Sequence, residues 1–244
     1  MTRLVGSELL KLRTTRLLIW LALLVIALEV LVISLDVSQN SLNELGQAHN
    51  QRDVVSIAAV SALISLILGI VSSAGEYAHG TISHTFLVMP VRERIVGAKL
   101  TSAALAGAGL ALVSAAFAWG FAALLLSARS VPIHLGSSPA LHLLLGTIGA
   151  AAITGALGVG LGAVVRRQTA TVVIALVWLL VAEPLLAIAG IQKYAPGHVV
   201  ASVVEAGTQG SSVLSFWPGL GLALAYTAVC GVAGTAVIKR ADVT

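Results

Sequence analysis

Six apolar runs, each long enough to cross a lipid bilayer, constrain this chain more than any other feature of its sequence. They cover residues 17–35, 54–74, 100–127, 141–165, 169–189 and 213–238. A membrane-spanning helix needs roughly 20 consecutive apolar residues. Only 10% of the residues are charged and 58% are hydrophobic, whereas about 25% of a soluble domain is charged. We therefore expect an all-α integral membrane protein with six transmembrane helices, built as a single transmembrane domain over residues 1–244.

The basic residues between these runs predict the orientation of the chain. If both termini lie inside, only three of the 14 Lys and Arg residues fall in outer segments, namely Arg52, Arg129 and Lys193. Cytoplasmic segments carry an excess of Lys and Arg. We therefore expect both termini in the cytoplasm, residues 75–99 as a cytoplasmic loop, and residues 190–212 as an extracellular surface or re-entrant segment.

Residues 1–16 precede the first run and predict an interfacial helix. Four apolar residues share one arc of the helical wheel: Leu4, Val5, Leu9 and Leu12. Such a helix lies in the membrane surface with its basic side chains near lipid phosphates. Glu8 falls inside the apolar arc, so a buried carboxylate there would need a partner, either Lys11 or a basic residue of the 75–99 loop. The alternative, a solvated Glu8, stays equally open.

The loop at residues 75–99 contains a second short helix pattern. Gly80 can break the preceding helix, and Thr81 is a suitable N-cap. Ile82, Phe86 and Met89 then follow at the spacing of one helix face. This apolar stripe could dock into a partner's groove, or it could lie on the membrane or against the N-terminal helix. The pattern does not decide between them.

Two acids lie inside apolar runs. Glu29 lies in the first run, and Glu183 lies in the fifth, directly before Pro184. A charge at the centre of a span costs at least about 2.5 kcal/mol, so each acid should face the interior of the helix bundle. One interpretation makes Glu29, Glu183 and Pro184 part of a translocation path. The other is a structural hydrogen bond between spans 1 and 5.

Several chemistries are not indicated. The sequence contains no GxxxxGK[ST] phosphate loop and no HExxH zinc motif. Its six histidines are scattered, and its single cysteine, Cys230, lies in an apolar run. We therefore expect no catalytic residues, no metal site and no cofactor in this chain. The net charge of +4 reports topology rather than nucleic-acid binding.

Four strings together resemble a known family. GEYAHGTISHTFLVMPVRER from Gly75, followed by AKL from Ala98, looks like the first cytoplasmic loop of type-2 ATP-binding-cassette (ABC) exporter permeases. SELLKLRTTR from Ser7 resembles their interfacial elbow helix. Glu183-Pro184 and KYAPGH from Lys193 are similar to six-span members of the actinobacterial type. The resemblance covers essentially the whole chain.

This resemblance implies a half-transporter in the plasma (inner) membrane of a bacterium. The short helix in the 75–99 loop would be a coupling helix that seats in a separately encoded cytoplasmic ATPase, which would hold ATP and Mg²⁺. A second permease copy, or a homologous permease, would complete the transporter, and membrane lipid would surround it. The cargo would be a drug, antibiotic, lipid or peptide moved out of the cell. The implied ATPase-coupling residues are Glu76, Tyr77, Gly80, Thr81, Ile82, His84, Phe86, Met89 and Arg92.

Two other classes of function remain as alternatives. The main one is an ATPase-independent membrane carrier or channel, which the lack of repeated halves disfavours only weakly. An intramembrane enzyme is disfavoured because paired catalytic motifs are missing.

Overall fold

A computed structural model of the chain describes residues 2–78, 92–136, 138–205 and 213–240. These ranges fold into α-helices joined by short 3-10 and π-helical turns, and no strand occurs within them. The helices, in chain order, are α1 (Thr2–Thr14), α2 (Leu17–Gln39), α3 (Leu42–Leu45), α4 (Ala48–Ser56), α5 (Val60–Ala78), α6 (Arg92–Ala128), α7 (Ser138–Val165), α8 (Gln168–Val177), α9 (Glu183–Ile188), α10 (Pro196–Val204) and α11 (Phe216–Arg240).

Six of these helical stretches are long and apolar enough to cross a membrane, and each overlaps one of the predicted runs. In order, spans 1 to 6 are Leu17–Gln39, Ala48–Ala78, Glu93–Ala128, Ala140–Val165, Gln168–Ile188 and Phe216–Ile238. Span 2 joins α4 to α5 through the 3-10 turn Ile57–Ala59, and span 5 joins α8 to α9 through the π-helix Trp178–Ala182. The chain is therefore a multi-pass, all-helical membrane protein.

The two long polar segments are more helical than the sequence pattern predicts. The predicted apolar runs end at residue 35 and resume at residue 54, but α2 continues to Gln39 and span 2 already begins at Ala48. Between them α3 starts at a capping box, in which the Ser41 and Glu44 side chains each bind the other's backbone N–H. Likewise α5 runs on to Ala78 and α6 starts at Arg92, so both ends of the 75–99 loop lie within these two helices. Polar residues do not by themselves end a helix once it has left the membrane.

Spans 2 and 4 form the centre of the bundle. In their most apolar stretches 61% of residues are buried inside the chain, against 17–22% for spans 1, 5 and 6. Their contact is a glycine seam made by Gly69 of α5 and by Gly155, Gly158 and Gly162 of α7. A Cβ atom on Gly69 would overlap the Gly155 carbonyl oxygen, and one on Gly158 would overlap backbone atoms of α5. The two helices therefore meet backbone to backbone, as small residues allow in membranes.

The short helix α10 packs into the bundle. Val199 and Val203 are buried, and a Cβ atom on Gly146 of α7 would overlap the Val203 carbonyl oxygen. The predicted surface or re-entrant segment at residues 190–212 therefore contains a helix that lies against α7 and α11. This position places α10 across one end of the space between spans 2, 4, 5 and 6.

One buried polar residue that the sequence pattern did not single out joins two connections between spans. Gln51 of α4 is fully buried. Its Nε2 donates to the carbonyl oxygens of Leu45 at 2.8 Å and Pro132 at 2.6 Å, and its Oε1 accepts from the His134 N–H at 2.7 Å. A single side chain therefore satisfies three backbone groups and holds the 40–50 and 131–136 segments together.

Candidate functional site

The N-terminal helix is fixed to the bundle by an ion network that starts at Glu8. Leu12, one turn further along α1, packs against Leu68 and Ala106. On the same side of α1, one oxygen of Glu8 lies 2.6 Å from Nζ of Lys99, and the other lies 2.7 Å from Nζ of Lys11. The predicted need of Glu8 for a basic partner is confirmed, and both of the predicted kinds of partner are present.

Glu76, in the last turn of α5, completes this network. Its Oε1 lies 2.8 Å from Nζ of Lys99 and 3.1 Å from Nζ of Lys11. Two carboxylates and two ammonium groups thus balance in charge, although Lys99 is only 5% exposed and Glu8 8%. We call Glu8, Lys11, Glu76 and Lys99 the ion network. It joins α1 to the end of α5 and to the beginning of α6.

The pKa values in α1 reflect this pairing. Burial acts to raise the pKa of Glu8, but attraction to Lys99 and hydrogen bonds from Lys11 and Lys99 outweigh it and hold that pKa below its usual value. Burial acts to lower the pKa of Lys11, but its contacts with Glu8 and Glu76 outweigh this and raise it. Both groups are therefore charged near neutral pH.

A second contact ties the neighbouring helix ends together. The Arg166 guanidinium, just after α7, lies 5.5 Å above the centre of the Tyr77 ring, a cation–π distance. The same guanidinium donates to the backbone carbonyl of Val237 in α11. The ends of α5, α7 and α11 are thus linked beside the ion network.

The residues that the family resemblance implicated in ATPase coupling are only partly visible. Glu76 and Tyr77 lie in the last turn of α5, and Arg92 is the first residue of α6. The predicted coupling helix lies outside the described residues. So do the other six implicated residues, which are Gly80, Thr81, Ile82, His84, Phe86 and Met89. The pattern missed Arg166 as a contact residue because its Tyr77 partner is distant in sequence. The sequence did indicate a partner such as Lys99, because the acidic Glu8 falls on the apolar face of α1 and therefore needs a basic residue beside it.

Glu29 is fully buried in span 1. One of its carboxyl oxygens accepts a hydrogen bond from the Ser114 hydroxyl of span 3. The Ser114 Oγ also lies 3.4 Å from the Ala58 carbonyl oxygen at the junction of α4 and α5. The second Glu29 oxygen is buried and has no hydrogen-bond partner within the described part of the chain. Glu29 thus joins span 1 to span 3.

Glu183 is also buried, at 4% exposure, but its partners are different. One oxygen accepts from the Trp178 indole N–H at 3.1 Å and from the Gly197 backbone N–H at 2.6 Å. The other lies 3.3 Å from Nδ1 of His198. Glu183 therefore caps the beginning of α10, while its neighbour Pro184 is exposed. The hydrogen bond considered between spans 1 and 5 is not formed, because each acid is held by other groups.

An apolar cavity of about 390 Å³ lies between spans 2, 4, 5 and 6 and α10. Leu66, Leu157, Ile174, Val200 and Cys230 each contribute to a different wall. Trp178 and Gly197 line it too, so the Glu183 cluster lies beside one end of the cavity. Across the described ranges, no group of three or more His, Cys, Asp or Glu side chains is arranged to hold a metal ion.

Comparisons with known proteins do not assign a family. A scan against protein-family models finds no match, and a search of curated proteins finds no relative.

Proposed function

We propose that this chain is the membrane subunit of an ATP-driven exporter, working with a separate cytoplasmic ATPase and a second permease subunit. The observation that carries the proposal is the ion network. It joins α1 to the two helix ends, at Ala78 and Arg92, that border residues 79–91. That intervening segment contains the sequence pattern of a coupling helix. Support also comes from the family resemblance and from the six spans.

The proposed mechanism passes force through these ionic contacts. ATP binding would close the ATPase pair and move the coupling segment of each permease. The ends of α5 and α6 would follow, since they are continuous with that segment. The network would carry α1 with them, because separating Lys99 from Glu8 or Glu76 would leave buried charges unpaired. Movement of spans 1 to 3 as one unit would then change the exposure of a cavity between the two subunits.

The test is whether an ATPase co-purifies with the chain through Phe86. We expect a tagged chain, extracted from its native membranes in mild detergent, to bring down a P-loop ATPase in stoichiometric amount. Phe86→Asp should abolish this. An aromatic anchor in a partner's pocket is worth more than about 2 kcal/mol, and a carboxylate buried there without a partner costs more.

Ser83→Asp is the matched control for this experiment. It adds the same charge to the same segment but lies off the predicted stripe of Ile82, Phe86 and Met89. We expect it to retain the ATPase, and both variants to give the gel-filtration profile of the original chain. If the chain brings down no ATPase, the exporter proposal is wrong. If both variants retain one equally, the assignment of the stripe is wrong.

A second candidate function is an ATPase-independent carrier. The observation that favours it is the apolar cavity, because its walls all come from one chain and need no partner subunit. Purified chain in vesicles without ATPase would then move an apolar compound down its gradient. We expect no such movement above that of protein-free vesicles.

A further inference from the structure

The cavity between spans 2, 4, 5 and 6 is elongated along the helices. Its α7 wall extends from Thr154 to Val165 and its α8 wall from Thr171 to Trp178. At about 1.5 Å of rise per residue, the α7 wall is roughly 16 Å long. A volume of about 390 Å³ spread over that length describes a narrow slot. Such a slot suits a chain-like molecule better than a rounded one.

The polar groups in the cavity walls already have partners within the protein. The Thr154 hydroxyl donates to the Ala62 carbonyl and the Thr171 hydroxyl to the Arg167 carbonyl, both at 2.7 Å. The Tyr226 hydroxyl donates to the Tyr194 carbonyl at 2.8 Å, and the Trp178 indole N–H donates to Glu183. Since these donors are all engaged, an occupant gains little by bringing polar groups of its own. The slot therefore selects an apolar occupant.

The slot lies among membrane-spanning helices and is open on one side. Ile174 and Trp178 line it and are also 57% and 44% exposed. They belong to span 5, one of the three spans with the smallest buried share. The hydrocarbon tails of the bilayer surround these spans. Lipid is therefore the molecule with direct access to the slot.

A basic residue, Arg167, lies close in the chain to the residues that line one end of the slot. Arg167 follows the lining residue Val165 by two positions, and its carbonyl oxygen accepts from the lining residue Thr171. Within the described part of the chain, the Arg167 side chain makes neither an ion pair nor a hydrogen bond. The exposed Arg167 side chain, which lies close in the chain to the end of an apolar slot, complements a phosphate group attached to a hydrocarbon chain.

We propose that the chain binds one anionic phospholipid, with an acyl chain in the slot and its phosphate at Arg167. This binding does not depend on ATP or on a partner ATPase. It can therefore be tested on the purified chain alone, and its failure would leave the exporter proposal standing.

The first measurement counts phospholipid bound to the purified protein by native mass spectrometry. We expect the original chain, mixed with dioleoyl phosphatidylglycerol in detergent, to hold one molecule saturably. Ala175→Phe places a ring in the slot and should reduce binding at least tenfold. Ala187→Phe adds the same ring to an exposed position of α9 that does not line the slot, and it should bind as the original chain does.

The second measurement uses Cys230, which lines the slot and is the single cysteine of the chain. We expect dioleoyl phosphatidylglycerol to slow alkylation of Cys230 by N-ethylmaleimide several-fold, over the concentration range in which it binds. In a Cys230→Ala chain carrying Leu180→Cys, the cysteine lies at a position 71% exposed and should not be protected. This measurement needs no slot-filling variant, so it decides the matter even if Ala175→Phe does not fold.

The third measurement tests the headgroup end. Arg167→Gln should weaken binding of dioleoyl phosphatidylglycerol about fivefold, the loss expected for one basic residue facing anionic lipid. Arg129→Gln removes an exposed charge at a position away from the slot and should leave binding unchanged. Equal weakening by the two variants would overturn the phosphate assignment.

Three results would overturn the proposal as a whole. One is equal phospholipid binding by Ala175→Phe and Ala187→Phe. Another is an unchanged rate of Cys230 alkylation at saturating phospholipid. The third is protection of Cys230 by decane but not by dioleoyl phosphatidylglycerol, which would assign the slot to a free apolar molecule.

Discussion

Lys99 lies in a nearly closed site, where two carboxylates share its ammonium group. Its Nζ lies within 2.8 Å of both Glu8 and Glu76. A lone buried ammonium would cost several kcal/mol in desolvation, and good geometry with more than one partner is what offsets such a cost. The network is therefore sensitive to the loss of any one member, even though its net charge is zero.

At this scale we expect Glu8→Gln to lower the stability of the detergent-purified protein by about 3 kcal/mol, since it leaves Lys99 buried with half of its compensation. Thermal unfolding of the two chains measures the effect. Glu44→Gln is the control, because Glu44 is exposed and glutamine can still complete the capping box with Ser41. A loss for Glu8→Gln no larger than that for Glu44→Gln would show that the network does not stabilise the fold.

The network also predicts the direction of the pH dependence. The folded pKa of Glu8 lies below 4.5, so its stabilisation is complete above that value and is lost as the pH falls through the folded pKa. The folded pKa of Lys11 lies above 10.5, so its stabilisation is complete below that value and is lost as the pH rises through the folded pKa. Their combined contribution should be flat between about pH 5 and pH 10. The stability of the Glu8→Gln protein should therefore fall less than that of the original chain as the pH is lowered below about 5.

Substitutions at Glu183 can separate a structural role from a role in the proposed transport more clearly than substitutions at Glu29 can. Glu183→Ala removes the acceptor for the Trp178 and Gly197 N–H groups, and we expect a loss of about 3 kcal/mol, since each unsatisfied buried donor costs about 1–3 kcal/mol. Glu183→Gln keeps one carbonyl oxygen for these donors and should lose about 1 kcal/mol. Thermal unfolding measures both variants.

If the chain is an exporter as proposed, transport by Glu183→Gln distinguishes the two roles considered for this acid. If the variant stays folded and assembled but transports less, the charge of Glu183 acts in transport. If transport follows stability, the acid is structural. Normal transport together with a normal unfolding temperature in both variants would contradict each role.

Among the elements, the pair formed by α5 and α7 depends most on side-chain size. A Cβ atom on Gly158 would overlap backbone atoms of Leu66 and Ile70, whereas one on Gly109 of α6 would meet nothing within 4 Å. We expect Gly158→Ala to destabilise the protein by at least about 2 kcal/mol. Gly109→Ala should stabilise it by up to about 1 kcal/mol, because alanine favours the helix. Equal thermal unfolding temperatures would contradict this account of the seam.

The elements show where sequence patterns are informative and where they are not. Apolar run length located all six spans, because the bilayer thickness sets that length directly. The ends of the helices were harder, since the Asn-, Gln- and Ser-rich stretch around Gln39 and Ala48 continues helically beyond the apolar run. Gln51 was missed because its three partners are backbone groups, which a sequence pattern cannot assign.

One part of the candidate site was predictable, because an acidic residue falls among apolar residues on one helix face. Glu8 lies on an apolar arc, so its need for a basic partner followed from the sequence. The choice of both Lys11 and Lys99, and the addition of Glu76, depend on how three helices pack. The same holds for Glu29 and Glu183, whose burial was expected but whose partners, Ser114 and the beginning of α10, were not.

For the whole molecule, cysteine labelling can measure the predicted orientation in the membrane. In a Cys230→Ala background we expect Asn43→Cys and Ser211→Cys to react with a membrane-impermeant maleimide applied to intact cells, because the positive-inside rule places both outside. Ser83→Cys should react only after the membrane is opened. Reaction of Ser83→Cys in intact cells would reverse the orientation.

The glycine seam requires spans 2 and 4 to move together. A contact between side chains can slip by changing rotamers, but at Gly69 and Gly158 the touching atoms are backbone and have no such freedom. Spans 2 and 4 can therefore change their relative position only as a register shift of whole helices, which makes them a single mechanical body. In the proposed exporter mechanism, a movement of spans 1 to 3 would therefore carry span 4 with it, and the relative motion would fall at spans 5 and 6, which are only 17% and 22% buried in their most apolar stretches.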